Sequence, residues 1–209
     1  MDWALHTAGF KSEQIVIFGQ SLGSAVALAL VHELAKRENP IDFAGLVITS
    51  SFSDVAQLTA TYRIGGVIPV LSPVAKLAPL FQFFTARLTS RWDNIQRIGE
   101  FVKVAERYDV TLIHAEDDAD IPMEHSVRLF RKAVSEAEGK TVLEDDEALL
   151  ARIEERRETL GEGGFMMLWE TDRGNIRLEI PKYGVHDRLM SYPVTSLAVS
   201  RAFESRRKI

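Results

Sequence analysis

The chain contains no cysteine. This absence removes disulfides, thiolate metal sites and a thiol nucleophile together, and leaves the redox compartment open. An excess of positive charge is also missing. The 25 Lys and Arg are scattered among 30 Asp and Glu for a net charge of −5, so there is no basic footprint for nucleic acid. Nor is there a run of roughly 18 uncharged apolar residues of the kind that spans a bilayer. The nearest approach, 64–84, is broken by Gly65, Gly66, Pro69, Pro73, Lys76 and Pro79. The opening MDWALHTAGF has neither the charged nor the apolar region of a signal peptide. What remains is a chain of 209 residues, 46% hydrophobic and 26% charged. It is long enough to bury one substantial core and reads as a single domain over 1–209.

The apolar patterning alternates between two periods. Residues 2–8 read as the last turns of a helix closed by Gly9. Short branched runs at 14–18, 43–49 and 109–114 have the character of strands buried on both faces. The 24–37 stretch spaces Ala27, Val31 and Leu34 as a helix facing a sheet, and Asn39-Pro40 stops it. A further helix is expected over 122–136. Strands alternating with helices imply an α/β fold with a mainly parallel sheet and right-handed crossovers. Between the second and third strands lie about sixty residues rich in Pro, Gly and Phe, expected to form a helical cap or lid over 56–95. Thr141 to Glu144 is a capping-box pattern opening a charged stretch, EDDEALLARIEERRE. It reads as a solvated helix within an insertion over 141–164. Residues 165–169 and 176–180 suggest a hairpin or a last sheet strand, and 193–203 a terminal amphipathic helix. No internal repeat or low-complexity tract is present.

The strongest chemical signal is Gly19-Gln20-Ser21-Leu22-Gly23, a G-x-S-x-G between an expected strand and an expected helix. A nucleophile on so tight a turn leaves little room for side chains two residues to either side, which accounts for both glycines. The turn lifts the Ser21 hydroxyl clear of the sheet edge and aims the Leu22 amide where an oxyanion would form. A serine hydroxyl needs a base, and the base needs an acid to hold its tautomer. In this fold the chain order is Ser, acid, His. The loop after 109–114 supplies Glu116, Asp117, Asp118 and Asp120. Asp118 fits an H-G-x-x-D-x-x-[VI]-P pattern in which the fourth residue after His is the acid, with Ala115 in place of Gly; Asp117 is the alternative. The cluster lacks EF-hand spacing. Of five histidines, His6 and His32 lie on helices, and His114 and His125 bracket the acid loop too closely to complete the order, although His125 is a candidate for lining the pocket. His186 follows the last strand in YGVHDR and is the candidate base. The set requires no metal and no cofactor.

The segments FGQSLGSAVALALV, FAGLVITSSFSDV, VTLIHAEDDADIP and YGVHDRLMSYP resemble the abhydrolase-domain 12 group of α/β-hydrolases. The similarity runs over about 14–193, apart from the charged stretch at 141–164. The resemblance implies a serine hydrolase of the lysophosphatidylserine lipase and monoacylglycerol lipase kind, with Ser21, Asp118 and His186 as its triad. Single-chain acyl lipid esters would be the substrates. By their apolar character Val67, Leu71, Leu77, Phe81 and Phe84 of the cap would either line an acyl groove or form an ordinary lid core. An acyl-protein thioesterase and a non-catalytic remnant that binds lipid or a partner are the rival readings; the cap as a membrane-docking surface is a third. The resemblance also implies an endoplasmic reticulum membrane location through an N-terminal anchor, whereas this sequence reads as soluble. A complete fold of this kind places several strands and an oxyanion loop before the elbow. Ser21 stands near the start, so the chain is expected to be a C-terminal portion with half the sheet and the second oxyanion donor absent.

Overall fold

In the computed structural model all residues are described except 2, 56, 59–62, 65–67, 70–91, 141–146, 162 and 208–209. The expected cap, with Val67, Leu71, Leu77, Phe81 and Phe84, therefore lies mostly outside the described residues, and so does the capping-box pattern at Thr141 to Glu144.

After a single π-helical turn (Trp3–Thr7) and a 3-10 turn (Ser12–Gln14), the chain enters strand β1 (Val16–Gln20) and helix α1 (Leu22–Ala35). The helical turns expected over 2–8 thus reduce to one wide turn, with Gly9 in the left-handed region at φ +71°. Next come β2 (Gly45–Thr49), the two-residue strands β3 (Arg63–Ile64) and β4 (Ile68–Pro69), α2 (Asn94–Val104), β5 (Tyr108–Ile113) and α3 (Glu124–Ala137). The chain ends with α4 (Glu147–Glu154), β6 (Arg157–Thr159), β7 (Gly164–Thr171), β8 (Gly174–Pro181), the short α5 (Val185–Arg188) and α6 (Pro193–Arg207).

Six strands form one sheet in the order β1-β2-β5-β8-β7-β6. The first four run parallel, and β7 and β6 each turn antiparallel to their neighbour. Among the described strands β1 is one edge. Both faces of β2 are buried, as its unbroken Leu-Val-Ile run demands. β7 and β8 form the anticipated hairpin, with Thr171 opposite Gly174 across a two-residue turn.

Helices cover the two faces unequally. α1, α2, α3 and α4 lie over one face, where Leu28, Val31, Ile98, Val102, Leu129 and Val134 pack with Ile48, Val110, Leu112 and Leu178 into the main core. Each such fully buried aliphatic contributes roughly 1.5–3 kcal/mol from apolar area removed from water. α6 covers the other face, and Ala198 packs with Val47, Ile113 and Leu189 there.

Two elements differ from the sequence reading. Helix α2 is not in it: the expected cap ends at 95, and no element is expected between there and the strand at 109–114. Yet Asp93 caps it by accepting from the Gln96 amide at 3.1 Å, and Ile98, Phe101 and Val102 are its buried side. The charged stretch is a mostly exposed helix, as expected, but a shorter one with a buried side. α4 stops at Glu154, and Leu149 and Ile153, one turn apart, are buried in the core. Arg157–Thr159 then pairs with β7 as a short charged edge strand. Two arginines of this segment lie on aromatic faces, Arg156 4.0 Å from the Trp169 ring centre and Arg157 3.8 Å from that of Phe165.

Candidate active site

Because β1, β2, β5 and β8 are parallel, the loops leaving their C-terminal ends open onto one rim of the sheet. Ser21 follows β1, Asp118 lies in the loop after β5, and His186 follows β8. Ser21 has φ 49° and ψ −121°, an unfavourable backbone for a residue with a Cβ. Its amide donates to the Thr49 carbonyl at 2.9 Å, which ties the turn to the end of β2. Ser24, in the first turn of α1, donates its hydroxyl to the Ser21 carbonyl at 2.5 Å. With that proton committed, the Ser51 hydroxyl 2.8 Å away is the donor to Ser24.

The two elbow glycines differ in purpose. A Cβ on Gly19 would run into the Gly23 carbonyl and lie 2.9 Å from the Ala27 Cβ, so strand and helix meet there only through glycine. A Cβ on Gly23 would meet no atom within 4 Å. The expectation that crowding demands both glycines is thus corrected: Gly19 is sterically required, and Gly23 is the residue it would strike.

Ser21, His186 and Asp118 come together in a chain of hydrogen bonds. His186 Nε2 is 3.0 Å from Ser21 Oγ, and His186 Nδ1 is 2.9 Å from Asp118 Oδ2. Asp118 Oδ1 accepts from the amides of Asp120 (3.1 Å) and Ile121 (2.9 Å). Burial pushes the Asp118 carboxyl upward, but hydrogen bonds from His114, His186 and the Ile121 amide outweigh it. They hold the group well below the usual carboxylate range. The bond to Asp118 raises His186 above the ordinary imidazole value, against a smaller opposing effect of burial.

Asp117, the alternative acid, instead accepts from the Val185 amide at 2.8 Å. That contact holds Val185 at φ 43°, rare for a β-branched residue, immediately before His186. The His186 carbonyl accepts from Gln20 Nε2 at 2.8 Å and from the Ser50 hydroxyl at 3.5 Å. Gln20 is therefore more than an elbow filler: it ties the strand carrying Ser21 to the loop carrying His186. Nothing in the sequence pattern signalled this contact across 166 positions. Leu22 begins α1, where the first amides have no partner within the helix, and its side chain is exposed.

His125 is tied to Ser53. It is buried in α3, and its Nδ1 accepts from the Ser53 amide at 3.2 Å. Burial, helped by nearby His114, pushes it down to about 4. Between about pH 6.5 and 4 the unfolded chain binds a proton at this site that the folded chain refuses. Stability therefore falls as pH drops through that window, by about 3 kcal/mol in all. Urea denaturation of His125→Asn, whose amide oxygen replaces the Nδ1 acceptor, should show a slope flatter by that amount between pH 7 and 4. Parallel curves for variant and wild type would refute it.

Among the described residues, no group of three or more His, Asp or Glu side chains is placed to hold a metal ion. Nor is any described helix long and apolar enough to cross a membrane.

No protein-family model matches this sequence, and no curated protein matches it. Among solved structures, the chain is similar to the uncomplexed acylaminoacyl peptidase of Pyrococcus horikoshii. The TM-score is 0.50 and the identity 14%, over 96% of this chain and 26% of the peptidase. The chain has the α/β-hydrolase fold. It spans about a quarter of that peptidase's length. It is also similar, at TM-score 0.45 and 12% identity, to the esterase domain of a Rhodothermus marinus protein, over 92% of this chain and 59% of that one.

Proposed function

We propose that the chain carries the active site of a serine hydrolase acting on acyl esters. The supporting observation is the Ser21–His186–Asp118 relay at 3.0 and 2.9 Å on the C-terminal rim of a parallel sheet. In this reading His186 Nε2 takes the proton of Ser21 as Oγ attacks the ester carbonyl. The Leu22 amide receives the oxyanion. His186, oriented through Nδ1 by Asp118, then protonates the leaving alcohol. Water repeats the steps on the acyl-enzyme and frees the acid. No cofactor enters the scheme.

The finer reading is a lipid ester, a lysophospholipid or a monoacylglycerol, presented at a membrane surface. Its support is the sequence resemblance together with the apolar side chains exposed around the triad rim, Leu22, Val185 and Met190. A second reading, hydrolysis of an acylated peptide or protein, is favoured by the structural similarity to an acylaminoacyl peptidase.

A fluorophosphonate probe, followed by mass spectrometry of the peptides, tests the reaction class: the adduct should map to Ser21. An adduct on another residue, or none, would remove the proposal. Turnover of lysophospholipid, monoacylglycerol, acyl-protein and acyl-peptide substrates then separates the finer readings, with the first two expected to lead.

A further inference from the structure

His114 is completely buried at the end of β5, and the catalytic scheme above does not use it. Its Nε2 lies 2.9 Å from the Ile121 carbonyl and 3.2 Å from Asp118 Oδ2. Both neighbours are acceptors, so this nitrogen carries a hydrogen and shares it between them. The other ring nitrogen, Nδ1, is 2.8 Å from the Ser126 hydroxyl, which fixes the ring from α3. Asp118 Oδ2 thus faces two imidazoles, His186 at 2.9 Å and His114 at 3.2 Å.

We propose that His114 is a positioning residue that competes with His186 for one carboxylate oxygen, and so sets how tightly His186 holds its proton. The inference rests on the serine hydrolase reading for its consequence in catalysis, though not for its geometry. A carboxylate oxygen that already accepts one buried hydrogen bond offers less negative charge to the next donor. Without His114, Oδ2 would belong to His186 alone. The carboxylate would stay in place because Oδ1 is held independently by the amides of Asp120 and Ile121. His186 would then grip its proton more strongly and be a free base over a narrower range of pH.

The other groups around this pair remain constant in the comparison. Asp120 and Asp187 act on His186, Asp117 holds the Val185 amide, and His125 lies near His114 from α3.

Three substitutions separate this role from simple packing. Gln at position 114 reaches as far as the ring Nε2 and can donate to both acceptors. Asn stops at the Nδ1 position beside Ser126, and Leu donates nothing. NMR titration of the His186 ring should give the wild-type midpoint for His114→Gln. The midpoint for His114→Asn and His114→Leu should be about half a pH unit higher. The rate of fluorophosphonate labelling at pH 6 should fall about threefold in those two, and its acid limb should move by the same half unit. If His114→Leu does not fold, the Gln and Asn pair decides. A folded His114→Asn protein in which His186 titrates at or below the wild-type midpoint overturns the proposal. Absence of labelling in the wild type would instead count against the hydrolase reading, and the NMR comparison would still decide the role of His114.

Discussion

Ser21→Ala should lower ester turnover by about a million-fold in kcat while leaving the fold intact. The size follows from the relay acting as a unit. In the proposed scheme no acyl-enzyme forms without the hydroxyl, and His186 and Asp118 have no nucleophile to serve. What survives is the slow attack of water on an ester held at the rim. Structurally the change is small. Among the described residues the Ser21 side chain is held through its bond to His186 Nε2, while the turn is fixed through the Ser21 backbone: its amide to Thr49 and its carbonyl to the Ser24 hydroxyl. Thermal denaturation should therefore shift little. The measurement is steady-state hydrolysis of a chromogenic short-chain ester by both proteins, purified in parallel; turnover within tenfold of wild type would show that Ser21 is not the nucleophile.

The fold class and the three residues that meet at the sheet rim were both legible, and several individual elements and contacts were not. Ser21 was legible because the elbow is local: strand, glycine, serine and helix occupy adjacent positions, and one of its two glycines is forced by contact with Ala27 and Gly23. Asp118 was legible through spacing from His114, and His186 through chain order. Contacts between distant segments were not legible. Gln20 on the His186 carbonyl and Asp117 on the Val185 amide are set by how loops meet above the sheet, and no local pattern encodes them. His114 stands at the head of the acid motif, and its contact with Oδ2 of Asp118 is set by the fold of the loop that follows. Helix α2 and strand β6 were missed for a different reason. Composition placed one in a Pro-rich insertion and the other in a charged helix, whereas Ile98 and Val102 bind α2 to the core and β6 is held by its pairing with β7.

Asp118→Asn should cost about 10⁴ in kcat, and its pH profile should move to lower pH. The carboxylate sits among donors on every side: the amides of Asp120 and Ile121 at Oδ1, and the imidazoles of His114 and His186 at Oδ2. An asparagine amide has one oxygen for these four. Turned one way, its NH₂ faces two backbone N–H groups. Turned the other way, it faces the two histidines and donates to His186 Nδ1, which forces the proton of that ring to Nε2. In that tautomer Nε2 points a hydrogen at Ser21 Oγ and can no longer accept one, so the base is lost although every atom stands close to its original place. Removing the carboxylate also removes the interaction that raises His186. Its titration should therefore fall toward the ordinary imidazole value, and whatever activity remains should begin at a lower pH than in wild type. A kcat–pH profile of Asp118→Asn with the acid limb unmoved, or with a loss below tenfold, would show that His186 draws neither its tautomer nor its basicity from Asp118.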